Sequence, residues 1–391
     1  MNKLILQDNN QIFENLLPLT FTRPVSEIRV GIFTIREKWQ RLLDNPSIYY
    51  ATDRLLYPLF PTAEADDDTL TVATHFLPTP CLVRTVAALL PGQTLLLPSG
   101  EEIARRGLPN GNHSEKIIYT EPLAQIRHLY DLFLLNGNEI RADISLLAPN
   151  EYAPLPADHH ATIIGPVQNL FIHPTAIIDG ATINLRHGPV YIGPGAVIME
   201  GATVRGPIAL CEHSEIRMGA RVYEDTTIGP HCKVGGEISN VIFIAHSNKA
   251  HDGFLGNSVI GEWCNLGGGT VASNLKNDYS EIKLWNYPTR RFLRTGLQFC
   301  GLIMGDHSKT GINTMINTAT VFGVGVNFHG AGYPRNFVPS FTEGSTAGMS
   351  EVPLRKFLDI ATRVLARRDI TLTPDDIDFY TRLHALTETY R

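Results

Sequence analysis

An aliphatic residue recurs at every sixth position from Ile192 to Val234: Ile192, Ile198, Val204, Leu210, Ile216, Val222, Ile228 and Val234. Four positions after each stands mostly a small side chain (Ala196, Ala202, Ser214, Ala220, Thr226, Cys232), with Ile208 and Ile238 as exceptions. If about a quarter of positions are aliphatic, eight in register arise by chance roughly once in a hundred thousand. Helix and strand periodicities both fail to give a period of six. A hexapeptide solenoid gives it: each repeat is a short strand plus a turn, and three repeats close a triangular coil. The aliphatic residue points into the prism, the small one fits the tight corner, and each coil buries its apolar side only against the next. Corners need Gly, Asn, Asp or His, which tolerate positive φ or bond locally, and this chain supplies them. Hexapeptide coils wind left-handed, against the usual right-handed crossover rule.

The spacing extends to Ile172 and Ile178, and the step from there to Ile192 reads as two hexapeptides plus an insertion at Asn184–Gly188. After Val234 the register slips. It returns as Phe254, Ile260 and Leu266, then as the turn series Gly305, Gly311, Asn317 and Gly323. Between Ser273 and Phe299 it is lost in a stretch rich in charge, Tyr and Trp, and a loop of that size on a solenoid usually carries function.

A chain of 391 residues accommodates two or three domains. Residues 1–155 read as an α/β domain, 160–340 as the β-helix and 345–391 as a helical extension. In the first, Lys3–Leu6 and Thr94–Leu97 have strand character, while Ile32–Leu43 and Leu123–Asn136 have helical spacing. Pro149–Pro156, followed by Asp158-His159-His160, reads as a linker. Near the end, Leu354, Phe357, Leu358, Ala361, Val364 and Leu365 share one helix face that closes on Arg367-Arg368. Thr373-Pro374 looks like the start of a second helix, and both helices fit a cap for the solenoid. A net charge of −6 argues against nucleic-acid binding. No long apolar run or signal-peptide layout is evident, and the five scattered cysteines read as reduced thiols, so a cytoplasmic protein without membrane association is expected.

The chemistry-bearing segment runs Ser247-Asn248-Lys249-Ala250-His251-Asp252-Gly253-Phe254-Leu255-Gly256, then Ile260-Gly261, Cys264-Asn265-Leu266-Gly267-Gly268-Gly269-Thr270 and Ser273-Asn274-Leu275-Lys276. Over roughly 160–330 it resembles the acetyltransferase half of the bifunctional N-acetylglucosamine-1-phosphate uridylyltransferase/glucosamine-1-phosphate acetyltransferases. It is most similar to the archaeal-type sugar-1-phosphate nucleotidylyltransferases with amino-sugar acetyltransferase activity, which share the run Gly305-Asp306-His307-Ser308-Lys309-Thr310-Gly311-Ile312-Asn313. The resemblance implies acetyl-CoA as donor, a sugar phosphate or nucleotide sugar as acceptor, and a homotrimer with sites between neighbouring prisms. It implies His251 as general base, because only the free amine attacks a thioester and an imidazole suits that proton transfer. Asn265 and Asn274 would hold sugar hydroxyls or the amine, and Arg217 and Lys283 the phosphate. Gly267, Gly268 and Gly269 would let backbone amides approach the thioester or pantetheine, with Thr314 also on the coenzyme. Bland readings stand beside these. Corner histidines such as His173, His187, His213 and His231 are ordinarily turn residues, and asparagines at such places form stacked ladders. No carboxylate or Cys cluster accompanies His246 and His251 to make a metal site. The family's acceptor-contacting Tyr is Phe254 here, its Asn-Tyr-Asp-Gly motif is Asn274-Leu275-Lys276-Asn277, and an expected lysine is Ser280. These departures point to a different acceptor, since a lost hydroxyl leaves a sugar or phosphate oxygen without a partner.

A sugar nucleotidyltransferase opens with a strand and a Gly-rich loop whose amides cradle phosphates. This chain has Leu4-Ile5-Leu6-Gln7-Asp8-Asn9-Asn10, with no glycine until Gly31. Leu17-Pro18-Leu19-Thr20-Phe21-Thr22-Arg23-Pro24 resembles the family's following stretch, making Arg23 a substrate-binding candidate. Leu95-Leu96-Leu97-Pro98-Ser99-Gly100-Glu101 echoes its magnesium-binding strand end, making Asp8 and Glu101 the Mg2+ candidates. The domain is also short for the family, so a divergent or inactive nucleotidyltransferase-like domain is expected. Three functions follow: acetyl-CoA-dependent acetylation of an amino-sugar 1-phosphate; nucleotidyl transfer from UTP or dTTP with the helix only trimerising; or non-catalytic binding of a sugar nucleotide by an assembly protein.

Overall fold

The computed structural model describes residues 3–109, 115–155 and 160–391. Their contacts define two units, Met1–Ile28 with Phe33–Asp131, and Arg29–Ile32 with Leu132–Arg391. The linker expected over Pro149–Pro156 falls in the second unit, and Pro156, Asp158 and His159 lie outside the described residues.

The first unit is built on a six-stranded mixed sheet in the order Ser47–Ala51, Lys3–Gln7, Leu70–Ala73, Glu102–Arg106, Gln93–Leu96, Glu115–Ile118. Lys3–Gln7 pairs in parallel with both neighbours. Its Leu4, Ile5 and Leu6 are buried, as a strand covered on both faces requires. The helix expected over Ile32–Leu43 spans Ile35–Leu42, because Thr34 and Glu37 form a reciprocal capping box that sets its start. The helix expected over Leu123–Asn136 instead spans Leu129–Asp143. Asp131 accepts the backbone amides of Arg127 and His128 at 2.8 Å, and Ile126 donates to the His75 carbonyl, so the chain before Leu129 is extended.

The second unit contains a parallel β-helix of the left-handed type. One face is a ten-stranded ladder, and the other two are joined in a fifteen-stranded sheet. Successive coils stack residue on residue: Ile178, Ile198, Ile216 and Val234 are paired in register, and the last three are fully buried. Ala196, Ala202, Ser214, Ala220, Thr226 and Cys232 are buried at the corners, as the six-residue pattern demands. Each inward aliphatic residue is worth about 1.5–3 kcal/mol of burial. Those terms accumulate coil by coil, which is why the stack rather than the single coil is stable.

Where the period broke, the fold explains it. Glu237–Phe243 and Phe254–Ile260 are seven-residue strands that each cover two faces, with Asn240 (φ +53°) and Asn257 (φ +46°) making the bend from within the strand. The inward residue of the second is Leu255, paired with Ile238; Phe254 is not the core position that the spacing indicated. The loop Ser273–Phe299 carries an antiparallel hairpin, Lys283–Asn286 with Arg291–Arg294. Its Trp285 ring stacks on Phe337 of the final coil at 4.2 Å. Helices Leu354–Ala366 and Pro374–Thr387 form as expected and cap the solenoid, with Phe357 edge-on to Phe341 and His307.

Those helices also cover a column of rings. His213, His231, His246, Trp263 and His307 occupy equivalent corners with φ between +50° and +60°. Their centroids follow one another at 5.2, 4.8, 4.1 and 6.3 Å, with planes within 22°. Tyr380 Oη meets His307 Nε2 at 2.9 Å, and Arg368 donates to the His231 carbonyl. Burial, then the neighbouring His231 and Arg368, push the His246 pKa from 6.5 down to about 4. The folded state therefore binds fewer protons than the unfolded one between those values, and stability falls as pH drops from about 6.5 to 4. The expected loss at this side chain, which is partly solvent-exposed, is roughly 2–3 kcal/mol. Urea unfolding at pH 7 and pH 4 checks it: His246→Phe should shrink the difference between the two by about that amount.

Candidate functional site

His251 stands at the corner between the inward positions Lys249 and Leu255. Its side chain is exposed and makes no hydrogen bond among the described residues. Other corner histidines are committed: His173 to Thr175, His187 to Glu224, and His213, His231 and His246 to the ring column. What surrounds His251 is glycine. A Cβ on Gly268, one coil on, would lie 3.6 Å from the His251 Cβ and 3.8 Å from its Cδ2, filling the space beside the imidazole. In the preceding coil the corner is Gly235-Gly236, two residues shorter than the corner from Ile216 to Val222. An imidazole thus projects from a stretch of solenoid edge stripped of neighbouring side chains.

The three glycines after Leu266 serve differently from expectation. Gly267 donates its amide to the Thr310 carbonyl at 3.1 Å, and Gly269 donates to Asp252 at 3.0 Å, so these amides belong to the ladder. Gly267 is needed because a Cβ would meet the Gly311 carbonyl oxygen at 2.4 Å. Gly269 adopts φ +70°. Only Gly268 opens space toward His251. Thr314 is buried, and its hydroxyl donates to the Gly311 carbonyl, which corrects its assignment to the coenzyme.

Asn265 lies in the same coil as the glycines, exposed, in register with Asn248 on one side and Lys309 on the other. Asn274 is held in an asparagine ladder: it donates to Asn257 Oδ1 at 2.7 Å, and Asn257 donates to Asn240 at 3.0 Å once the Asn240 amide is oriented to satisfy its neighbours. It nonetheless borders Phe254, since a Cβ on Gly256 would touch both the Phe254 ring and the Asn274 amide. Arg217 pairs with Glu215 at 2.8 Å, and Lys233 takes the other oxygen of that carboxylate, so its charge is met within the coil. Lys283 is exposed on the hairpin that packs against the final coil. The structure sets Gly268 beside His251, with Asn265 three residues earlier in the coil of Gly268. It does not group Arg217 or Lys283 with them.

In the first unit, Asp8 is buried and both its carboxylate oxygens accept hydrogen bonds from the protein. Thr52 and Thr74 hydroxyls donate to it at 2.6 Å, and the Val25 amide at 3.3 Å. Glu101 sits at the turn of the hairpin formed by Gln93–Leu96 and Glu102–Arg106, between His75 Nε2 at 3.0 Å and Arg127. Burial raises its pKa, but the Arg127 and His75 bonds outweigh that and hold it below the ordinary carboxylate range. Arg23 is buried beside the Leu19 carbonyl. Among the described residues no group of three or more His, Cys, Asp or Glu side chains could hold a metal ion. Magnesium does not fit Asp8 and Glu101 as they stand, because their oxygens already accept protein donors. Burial raises the Asp8 pKa from 3.8 to about 6, against the opposing hydrogen bonds from Thr52, Thr74 and Val25. Stability is therefore lost as pH rises from about 4 to 6, at a cost of about 3 kcal/mol by linkage. Asp8→Asn is expected to raise unfolding free energy by about 1–3 kcal/mol at pH 8 and to give no gain at pH 4, read by urea denaturation.

The architecture is an α/β region followed along the chain by a hexapeptide-type β-helix. Residues 4–151 match the sugar nucleotidyl transferase family. The chain is 33% identical over 107 residues to the bifunctional protein GlmU of Methanocaldococcus jannaschii, covering 27% of this chain and 23% of that protein. It is 31% identical over 139 residues to a bifunctional sugar-1-phosphate nucleotidylyltransferase/acetyltransferase of Sulfurisphaera tokodaii, covering 30% and 34% respectively. The resemblance read from the motifs is thus upheld at low identity, over at most about a third of these relatives' own length. Among solved structures, the polysialic-acid-specific acetyltransferase NeuO aligns at 11% identity with TM-score 0.27, covering 49% of this chain and 85% of that one. UDP-N-acetylglucosamine acyltransferase of Francisella novicida aligns at 16% identity and 0.25, covering 59% and 78%. No helix among the described residues is long and apolar enough to cross a membrane.

Proposed function

We propose that the β-helix transfers an acetyl group from acetyl-CoA to the amine of an amino-sugar 1-phosphate, with His251 as general base. The observation that carries this reading is the uncommitted imidazole beside the open Cβ position of Gly268. In the reaction the sugar nitrogen bonds to the acetyl carbon, the carbon–sulfur bond breaks, and the ammonium proton passes to His251 before reaching the departing thiolate. Asn265, exposed one coil from His251, would orient the acceptor; Gly268 would admit the thioester end of the donor, which is a substrate here. The protein would act as a homotrimer in the cytoplasm, a neighbouring prism completing each site. A thiol-release assay with acetyl-CoA against glucosamine 1-phosphate, galactosamine 1-phosphate and nucleotide-linked amino sugars tests it, and turnover with none of them rejects it.

The match over residues 4–151 favours a second activity, nucleotidyl transfer from UTP or dTTP to a sugar 1-phosphate. Pyrophosphate release from UTP or dTTP with a sugar 1-phosphate by the folded protein would support it. Tight sugar-nucleotide binding by calorimetry with turnover in neither assay would instead favour the non-catalytic assembly protein.

A further inference from the structure

One coil of the solenoid lacks its inward corner residue, and a lysine stands in the gap. In the coil before, the corner from Ile216 to Val222 encloses the fully buried Ala220. In the next, Ile238 pairs with Val222 although it follows Val234 by only four residues, so the counterpart of Ala220 is missing. The corner that follows, from Lys249 to Leu255, has full length again and carries His251. Lys249 takes the inward position in register with Val234, where every preceding coil has an aliphatic residue, and it is 1% exposed. Its Nζ donates to the Gly235 carbonyl of the truncated corner at 3.3 Å and to the His251 carbonyl at 2.6 Å. Burying an ammonium is costly, and an aliphatic side chain would fill the row without that cost. The lysine therefore has a task that packing does not explain.

We propose that Lys249 is a positioning residue for the acetyl-transfer site: its buried ammonium holds the His251 peptide through the His251 carbonyl and fixes the direction in which the imidazole leaves the corner beside Gly268. This rests on the reading of His251 as the base. Burial lowers the Lys249 pKa to about 8, partly offset by Asp252, so the group remains mainly a charged donor at neutral pH. A charge-assisted donor to a carbonyl is the stronger kind of hydrogen bond and directs a single peptide where a side-chain contact would not.

The test compares Lys249→Met, which reaches as far as the lysine Cε without any donor, with Lys249→Gln, of the same reach, whose amide falls about one bond short of the His251 carbonyl. Both are expected to lower kcat about 10- to 100-fold, to leave KM for donor and acceptor within about threefold, and to shift or broaden the His251 imidazole proton resonances of the free protein. Wild-type kcat in either folded variant overturns the proposal. So does an unchanged His251 spectrum in a folded variant, or a parallel change of kcat and KM with that spectrum unmoved. Lys249→Gln serves if Lys249→Met does not fold. If the wild-type protein acetylates no amino sugar, the functional reading falls by that assay alone, while the His251 spectrum still decides whether Lys249 orients the imidazole.

Discussion

His251→Ala is expected to reduce acetyl transfer by about 10²- to 10⁴-fold while leaving the fold intact, because removing a general base costs that much and this side chain supports nothing else. The ring is exposed and makes no hydrogen bond among the described residues. Surface substitutions of that kind alter stability by about 0.5 kcal/mol or less, so the thermal midpoint should hold within one to two degrees. KM for both substrates should change little, since the loss is in proton transfer rather than in ground-state binding. The contrast with His246 sharpens the expectation. His246 lies in the ring column between His231 and Trp263. Its loss should alter stability and its pH dependence while leaving the acetyl-transfer chemistry in place. Steady-state thiol release with saturating acetyl-CoA distinguishes the two. A folded His251→Ala protein retaining more than about a tenth of wild-type kcat would falsify the role assigned to this residue.

The solenoid was legible because a period of six has one structural solution, and its inward row appears where the count placed it from Ile192 to Val234. The count went astray where two residues drop out of the corner at Gly235-Gly236, and Phe254 was read as core in place of Leu255. The same deletion hid Lys249, since a lysine in an inward row reads as the end of the pattern rather than as its replacement. Asn274 was read both as a ligand and as a ladder residue; its bond to Asn257 establishes the ladder, which depends on two positive φ angles that residue type permits but does not dictate. Glu101 shows a different limit. Its partners His75 and Arg127 lie 26 residues away on either side, and no local pattern announces a pairing that the sheet creates. Arg217 is a phosphate candidate through the family resemblance alone, and its pairing with Glu215, two residues away, is a local contact that the resemblance does not convey.

Gly253→Ala should be the most destabilising single methyl in the region of the site. Gly253 has φ +121°, a backbone region closed to side-chain-bearing residues, and a Cβ there would meet the Thr270 carbonyl oxygen at 2.0 Å and its carbon at 2.9 Å. Both atoms are backbone of the next coil, so no side chain can swing aside. The Gly253 carbonyl in turn accepts the Glu237 amide at 3.1 Å, which ties the position to the coil before as well. Backbone strain of about 1–3 kcal/mol and overpacking of about 1–3 kcal/mol add, since the two penalties arise from different atoms. A loss of roughly 2–6 kcal/mol follows, or about 4–24 °C in the unfolding midpoint of a unit this size. Gly268→Ala is the control: its φ is not positive and its new methyl meets only ordinary contacts of 3.6–3.8 Å with His251, so its midpoint should fall by no more than about 2–4 °C. The two methyls lie one coil apart on the same edge, yet one strains the stack and the other merely occupies the space beside the imidazole. Thermal unfolding of both variants therefore separates what the corner needs to stay folded from what it keeps open for a substrate. Equal midpoints for the two would show that the close approach of Gly253 to the Thr270 carbonyl does not constrain the coil.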